Sequence, residues 1–129
     1  MKNKIDLIYK GLTYKINGIL FEVFNKLGYG YQEKYYQRAI ASLLKKENIS
    51  FEEQFSAPIT FNGNKIGRYF LDFLIDNKII LEIKKSENFQ KNNIEQIYAY
   101  LKAFNLKLGI LANFTKNGVK IKRIANIYP

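Results

Sequence analysis

The sequence predicts an α/β (α+β) protein with a mixed sheet of about five strands flanked by helices, in the order ααβββαββ. Three observations predict it. Apolar residues recur at helical spacing in the first third of the chain. Short apolar runs bounded by turn signals follow. One helical segment then separates the third strand from the fourth, and such a crossover makes those two strands parallel. At 129 residues, the chain is expected to form a single domain over 1–129.

Two helices are predicted first. Ile5 to Lys26 carries apolar residues close to helical period, and Gly28 and Gly30 suit a change of chain direction after it. The second helix is predicted from about Gln32 to Glu47, because its apolar residues also fall on one face.

Three antiparallel strands are predicted next, over Phe51 to Phe61, Lys65 to Ile75 and Lys78 to Lys84. Asn62-Gly63-Asn64 and Asp76-Asn77, which separate them, suit tight hairpin turns. Pro58 indicates an edge strand or a bulge, because proline cannot donate a ladder hydrogen bond. The remaining predictions are a polar loop at Ser86 to Asn93, a helix at Ile94 to Asn105 and strands at Lys107 to Asn113 and Val119 to Ile124.

The composition excludes several classes of active site. The chain has no cysteine, so disulfides and thiolate zinc sites are excluded. It has no histidine either, which excludes histidine acid–base chemistry and histidine-bound metals. A metal would need oxygen ligands, and this favours Mg²⁺ or Mn²⁺.

The net charge of +10 favours attraction to a polyanion such as nucleic acid. The alternative is a compositional bias, since the chain is rich in lysine, asparagine and isoleucine.

Residues 1–10 contain no long apolar segment, so no signal peptide is expected. No stretch approaches the roughly 20 apolar residues of a membrane span. A soluble cytoplasmic protein without a membrane partner is therefore expected.

Charged residues interrupt two of the apolar strands. Asp72 lies in the second predicted strand, and Glu82 and Lys84 lie in the third, where alternation puts both on one face. Burying a bare carboxylate costs several kcal/mol unless something pairs with it. A metal ion or a phosphate would account for that cost, and without it at least one carboxyl group should have a raised pKa. The pattern is typical of a metal-dependent phosphodiesterase.

These residues resemble the PD-(D/E)XK nuclease superfamily, which carries Asp on one strand and (Asp/Glu)-x-Lys on the next. Asp72 and Glu82-Ile83-Lys84 match this pattern, with Leu71 in place of the nominal proline. The small GxxExxY family is the most similar group, since its motif appears as Gly30-Tyr31-Gln32-Glu33-Lys34-Tyr35-Tyr36. Further matches are Phe21-Glu22-Val23, Gln96, Tyr98 to Leu101, Leu106 to Phe114 and Ile121 to Ile124. The resemblance covers nearly the whole chain and implies a restriction-endonuclease-like core.

The resemblance also implies the metal ligands. Asp72 and Glu82 are expected to bind the ion, with the backbone carbonyl of Ile83 as a third ligand. A helix glutamate completes the site in this superfamily. Glu33 is our choice for it, and Glu22 is the rival.

Further roles follow from the same resemblance or from position. Lys84 is expected to orient the attacking water or to stabilise charge on the phosphorus centre. Gln96 is expected to contact substrate phosphate or a metal-bound water. Tyr36, Tyr100 and Lys85 are candidates for substrate binding, with packing as the alternative for both tyrosines.

The sequence therefore predicts an Mg²⁺-dependent (or Mn²⁺-dependent) enzyme that hydrolyses phosphodiester bonds in nucleic acid, with DNA favoured over RNA. The alternative is a non-catalytic module on the same fold that binds nucleic acid or a protein partner. A homodimer is a third expectation, because small nucleases often need two subunits to cut two strands.

Overall fold

The computed structural model describes residues 8–127 and contains the eight elements in the predicted order. The helices are α1 (Lys10–Leu27), α2 (Glu33–Lys46) and α3 (Lys91–Phe104). The strands are β1 (Phe51–Phe61), β2 (Asn64–Ile75), β3 (Ile79–Lys84), β4 (Leu108–Thr115) and β5 (Gly118–Ala125). The predicted start of the first helix, at Ile5, lies outside the described residues. Helix α3 begins three residues before the predicted Ile94, because its polar first turn gives no apolar signal.

The five strands form one mixed sheet in the spatial order β1-β2-β3-β4-β5. Neighbouring strands are antiparallel except β3 and β4, which α3 connects in parallel. The predicted α/β class, the element order and the mixed sheet are therefore confirmed. Pro58 lies on the edge strand β1, which also shifts register between Ile59 and Thr60.

The predicted turn between β2 and β3 is confirmed by its backbone. Asp76 and Asn77 both have positive φ, 53° and 52°. Two consecutive residues of this kind match the twist of a tight hairpin, and aspartate and asparagine tolerate the conformation. The turn fixes the register of β2 against β3, which in turn fixes where Asp72 and Glu82 meet.

The sheet separates two apolar cores. Helices α1 and α2 cover one face, where Ile79, Leu81 and Ile83 of β3 pack. Helix α3 covers the other face, where Ile80 packs. This alternation confirms that Glu82 and Lys84 point away from the α1–α2 core.

Gly109 of β4 allows α3 to pack closely on the sheet. A Cβ atom at this position would lie 2.5 Å from Cγ2 of Ile97 in α3. We expect Gly109→Ala to lower the free energy of unfolding by about 1–3 kcal/mol through overpacking.

Gly18→Ala is the matched control for Gly109→Ala, because a Cβ atom added to Gly18 inside α1 would meet no heavy atom within 4 Å. It should raise stability by about 0.5–1 kcal/mol. Urea unfolding of both variants checks the two signs, and a stabilised Gly109→Ala would refute the packing argument.

Candidate active site

The candidate site lies where β2 and β3 separate. The two strands pair from Ile75–Ile79 as far as Phe73–Leu81, and the ladder stops there. Beyond that point, the Asp72 backbone N–H donates to Oε1 of Glu82 at 2.8 Å. The Ile83 backbone N–H donates to Oδ2 of Asp72, also at 2.8 Å. Hydrogen bonds to the two carboxylates therefore replace the next backbone pairing between β2 and β3. The two carboxylates lie opposite each other where the strands separate.

A pair of glutamines supports Asp72 from the α2 side. The side chain of Gln37 in α2 lies near Asp72 and lowers its pKa. Oε1 of Gln37 accepts a hydrogen bond from Nε2 of Gln54 at 3.0 Å. Gln54 lies on the edge strand β1 and has a φ of 50°, so the strand is irregular at this position. Sequence reasoning missed both residues. The available signal was that Gln37 follows Glu33 by four residues, on the same helix face.

The electrostatics of the pair are those of carboxylates held away from water. Glu82 is 7% exposed. Burial, followed by the neighbouring Asp72 charge, raises its pKa to about 8 against the opposing effects of the Asp72 N–H and Lys84. Burial also raises the pKa of Asp72, while the Ile83 N–H, Lys84 and Gln37 lower it. Burial is thus the leading cause for both groups.

Glu33 is the helix glutamate that lies beside the pair. Its Oε2 accepts a hydrogen bond from the Lys85 backbone N–H at 2.9 Å. Its charge raises the pKa of both Asp72 and Glu82. The rival Glu22 instead forms a surface salt bridge with Lys26 at 3.1 Å. Glu33 is therefore the glutamate that acts on the site.

Glu33 is not grouped with Asp72 and Glu82 as a third acidic ligand. Within residues 8–127, no three acidic side chains are grouped so that they could hold a metal ion by themselves. One Glu33 oxygen accepts the Lys85 N–H. The expectation that Glu33 completes the metal site, directly or through a water molecule, remains a prediction.

Lys84 lies near the pair. Its charge lowers the pKa of both Asp72 and Glu82, yet burial outweighs it and both values stay raised. Lys84 acts on the two carboxylates through space, and in the described part of the chain it forms no salt bridge with either. The Lys84 ammonium group thus lies near the two carboxylates without forming an ion pair with either.

The two tyrosines predicted to bind substrate are packing residues. Tyr36 is 0% exposed, stacks on Phe114 at a centroid distance of 4.1 Å and donates its hydroxyl to the Gly28 carbonyl. Tyr100 is 5% exposed and contacts Tyr69 edge-on at 4.9 Å. Burial raises the pKa of the Tyr100 hydroxyl, and the nearby Phe70 backbone opposes this effect. Both rings are covered by the protein, so the substrate prediction for them is wrong.

Gln96 and Lys85 are both exposed. Gln96 lies one turn before Tyr100 on α3, and among the described residues it makes no hydrogen bond to the carboxylate pair. The Lys85 ammonium lies 5.2 Å from the ring centroid of Tyr29. The roles of both residues toward substrate remain predictions.

A further residue that the sequence did not single out is Asn113. It lies on β4 opposite Lys84 in the parallel register and is 0% exposed. Its Nδ2 donates to the Asn88 carbonyl at 2.9 Å, which attaches the loop after Lys84 to the sheet. Glu87 of the same loop accepts a hydrogen bond from the Lys116 backbone N–H at 3.0 Å. The segment that follows Lys84 is therefore fixed at two points.

The donors present fit a hard divalent cation. Glu82 is buried and Asp72 beside it is half-buried, and burial makes their charged forms costly without a counter-ion. Only oxygen ligands are available in a chain without cysteine or histidine. Mg²⁺ is usually bound by one or two carboxylates plus water and substrate phosphates, so a pair is sufficient.

Gln37 favours the ionised form of Asp72, although burial has the larger effect on the Asp72 pKa. We expect Gln37→Leu to weaken binding of a divalent ion at the pair about 10- to 100-fold, as for other groups that orient metal ligands. Arg38→Leu, one residue along the same helix and exposed, is the matched control for helix stability. The measurement is the Mn²⁺ concentration that gives half of the rise in melting temperature. Equal concentrations for wild type and Gln37→Leu would contradict this role.

Comparison with known proteins shows the family. A model of the PD-(D/E)XK nuclease superfamily matches residues 10–124. No curated protein matches the chain. The crystal structure of SSO0001 is similar with a TM-score of 0.57 and 22% identity, over 74% of this chain and 50% of that one. This chain therefore spans about half the length of SSO0001, and the likeness supports the fold alone.

A second solved structure, the alkaline exonuclease LHK-Exo from Laribacter hongkongensis, is 10% identical with a TM-score of 0.48. The similarity covers 88% of this chain and 82% of that one. No helix in residues 8–127 is long and apolar enough to cross a membrane.

The matched residues 10–124 include Glu33, Asp72, Glu82 and Lys84 and nearly all of the sheet and its helices. The chain belongs to the PD-(D/E)XK nuclease superfamily.

Proposed function

We propose that this protein is a divalent-cation-dependent nuclease that hydrolyses phosphodiester bonds in nucleic acid, with DNA as the favoured substrate. The observation that carries the proposal is the pair of buried Glu82 and half-buried Asp72 beside Lys84. A fold that only needed stability would fill the gap between β2 and β3 with ladder hydrogen bonds and apolar side chains. This chain instead keeps two carboxylates there at an electrostatic cost.

Asp72 and Glu82 would hold Mg²⁺ or Mn²⁺, with the Ile83 carbonyl as a further oxygen donor. The ion, when bound, lowers the pKa of a water molecule and offsets charge on the scissile phosphate. Gln37 lowers the pKa of Asp72 and so opposes the effect of burial. Lys84 positions the attacking water or stabilises the negative charge that develops on the phosphate. Glu33 contributes negative charge next to the pair, and Gln96 and Lys85 are proposed contacts for neighbouring phosphates.

Other parts of the proposal rest on the sequence. The net charge of +10 favours a polyanionic substrate. The motif from Gly30 to Tyr36 supports membership of the GxxExxY group. We propose that the protein acts in the cytoplasm, and that a homodimer would form where both strands of a duplex are cut.

The test is a cleavage panel with end-labelled single-stranded, duplex, flap and four-way-junction DNA and single-stranded RNA, in Mg²⁺, Mn²⁺ or EDTA. Wild type should cleave at least one substrate only when a divalent ion is present. Lys84→Ala should lose about 10²–10³ in rate, the range for removing one group that stabilises developing charge. Lys102→Ala, an exposed lysine of α3, is the matched control and should cleave like wild type.

The same panel distinguishes the nuclease from the alternative, which is a non-catalytic module. Binding of nucleic acid with no cleavage of any substrate in either metal would favour it over the nuclease. Cleavage that persists in EDTA, or that Lys84→Ala leaves unchanged, would also overturn the proposal.

A further inference from the structure

Three partly exposed tyrosines lie close in sequence to Glu33 of the candidate site. Tyr29 and Tyr31 lie in the loop between α1 and α2, and Tyr35 lies in the first turn of α2. They are 40%, 44% and 42% exposed, respectively. We call these three residues the tyrosine rim. A cluster of aromatic rings this exposed is unusual at a surface unless it serves an interaction.

The rim is linked directly to the carboxylate site. Lys85, which follows β3, donates its backbone N–H to Glu33 and places its ammonium 5.2 Å from the Tyr29 centroid. Glu33 in turn acts on Asp72 and Glu82 through its charge. Tyr29 and Lys85 therefore place one end of the rim beside the site. Tyr35, two residues after Glu33, lies on a different face of α2 and extends the rim away from the site.

The rim is held in a fixed arrangement by the buried Tyr36. The Tyr36 hydroxyl donates to the Gly28 carbonyl at 2.6 Å and accepts from the Tyr31 backbone N–H at 3.4 Å. The Tyr31 ring contacts the rings of Tyr35 and Tyr36 edge-on, at 6.4 Å and 6.1 Å. A surface prepared in this way loses little freedom when a ligand stacks on it.

Positive charge is interleaved with the rings. Lys34 and Arg38 lie 5.3 Å and 5.5 Å from the Tyr35 centroid, and Lys85 flanks Tyr29. Exposed rings alternating with cations match the bases and phosphates of a nucleic-acid strand. The faces of bases in a duplex are covered by their neighbours, so only unpaired bases can stack on such rings.

We propose that the tyrosine rim binds unpaired nucleobases, so that the protein prefers single-stranded nucleic acid or the single-stranded part of a branched substrate. The proposal rests on the proposed function for one point only, which is that the strand bound at the rim also passes the Asp72–Glu82 pair. Base stacking supplies the preference for unpaired strands, and the surrounding cations supply affinity that does not depend on strandedness.

The test measures binding without hydrolysis. Fluorescence anisotropy with the Asp72→Asn protein uses a labelled DNA strand of about 20 nucleotides, long enough to cover a single-strand binding site. Its matched duplex, an RNA strand of the same sequence, and a strand of abasic sugar phosphates of equal length complete the set.

The variants separate stacking from other effects of the rings. We compare Tyr29→Ala and Tyr35→Ala in the Asp72→Asn background with Tyr29→Phe and Tyr35→Phe. Tyr14→Ala, which removes a tyrosine that is 79% exposed on α1, is the control. Thermal melts verify that each variant is folded.

We expect tighter binding of the single strand than of the duplex or the abasic strand at equal salt. Each alanine variant should weaken single-strand binding about 5- to 150-fold, the range measured for loss of one base–aromatic stack. Binding of the duplex and the abasic strand should stay within about twofold, because the cations that contact phosphates are unchanged. The phenylalanine variants and Tyr14→Ala should bind like the parent. The DNA and RNA strands show whether the sugar is also recognised.

Two results would overturn the proposal: alanine variants that bind the single strand like the parent, or losses that are equal for single strand, duplex and abasic strand. The latter would reduce the rim to a general phosphate-binding surface. These results are independent of catalysis. A protein that shows the stacking signature and cleaves nothing would support the proposal for the rim and contradict the proposed nuclease function. A metal-dependent nuclease whose single-strand binding is unchanged by substitution of Tyr29 and Tyr35 would support the nuclease function and contradict the proposal for the rim.

Discussion

Glu82→Gln is expected to abolish cleavage and, at the same time, to make the metal-free protein more stable above pH 8. The folded protein holds a proton on Glu82 up to a pKa of about 8, whereas the ordinary value for a glutamate in an unfolded chain is 4.5. Between these values the folded state binds more protons, so this group's contribution to stability falls as the pH rises through that window. Above this pH window, Glu82 is charged in the folded protein, and burying that charge costs on the order of a few kcal/mol of stability.

Glutamine removes that cost and keeps an oxygen to accept the Asp72 N–H. Stability of Glu82→Gln should therefore decline less than that of wild type between pH 5 and 9, when both are unfolded with urea in EDTA. Cleavage should fall by at least about 10³-fold, as when an essential group of a catalytic unit is removed. Glu95→Gln, with a side chain that is 65% exposed, is the matched control and should change neither property much. A wild-type protein that gains stability from pH 5 to 9 relative to Glu82→Gln would show that Glu82 is stably ionised by a partner.

Divalent ions are expected to stabilise the protein strongly, and more at pH 8.5 than at pH 6. An ion that binds the folded state and not the unfolded chain stabilises by about 2.7 kcal/mol at one hundred times its Kd. For a chain of this length, that corresponds to roughly 10 °C in melting temperature. Protons compete with the ion for Glu82, whose pKa is about 8, so the effect should grow as the pH rises.

Thermal melts in increasing Mg²⁺ or Mn²⁺ at the two pH values provide the measurement. Asp72→Asn and Glu82→Gln should each lose the metal-dependent shift, and Glu95→Gln should retain it. Asp72→Asn should also be at least as stable as wild type without metal, because it removes a charge that is costly to bury. If the shift is equal in all four proteins, the ion binds elsewhere on the chain.

The sheet could be predicted well because its signals are local. Alternation determines the faces of β3, and Asp76-Asn77 forms the hairpin that brings Asp72 to Glu82. Charged residues inside apolar strands then mark the site, since such residues are costly to bury. The raised pKa of Glu82 agrees with the expectation of at least one raised carboxyl pKa, and burial contributes more to it than the repulsion between the two carboxylates.

The rest of the site depends on contacts between residues distant in sequence. The glutamine pair joins Gln54 to Gln37, and Asn113 holds Asn88, and no local pattern indicates either contact. Tyr36 is a different case, because the sequence leaves substrate binding and packing both open for it, and its ring fills the core. Its neighbours Tyr31 and Tyr35 are the rings that face solvent. Burial separates the two kinds of tyrosine, and only the fold determines burial.

Single-turnover cleavage of a labelled DNA strand by wild type and Asp72→Asn, prepared in parallel and assayed in Mn²⁺ and in EDTA, tests the central claim most directly. The Asp72–Glu82 pair is proposed to hold the ion that activates hydrolysis, so only wild type in Mn²⁺ should cleave. Asp72→Asn should be inactive in both conditions while remaining folded. Cleavage by Asp72→Asn at the wild-type rate in Mn²⁺ would contradict the claim, because the pair would then have no part in the reaction.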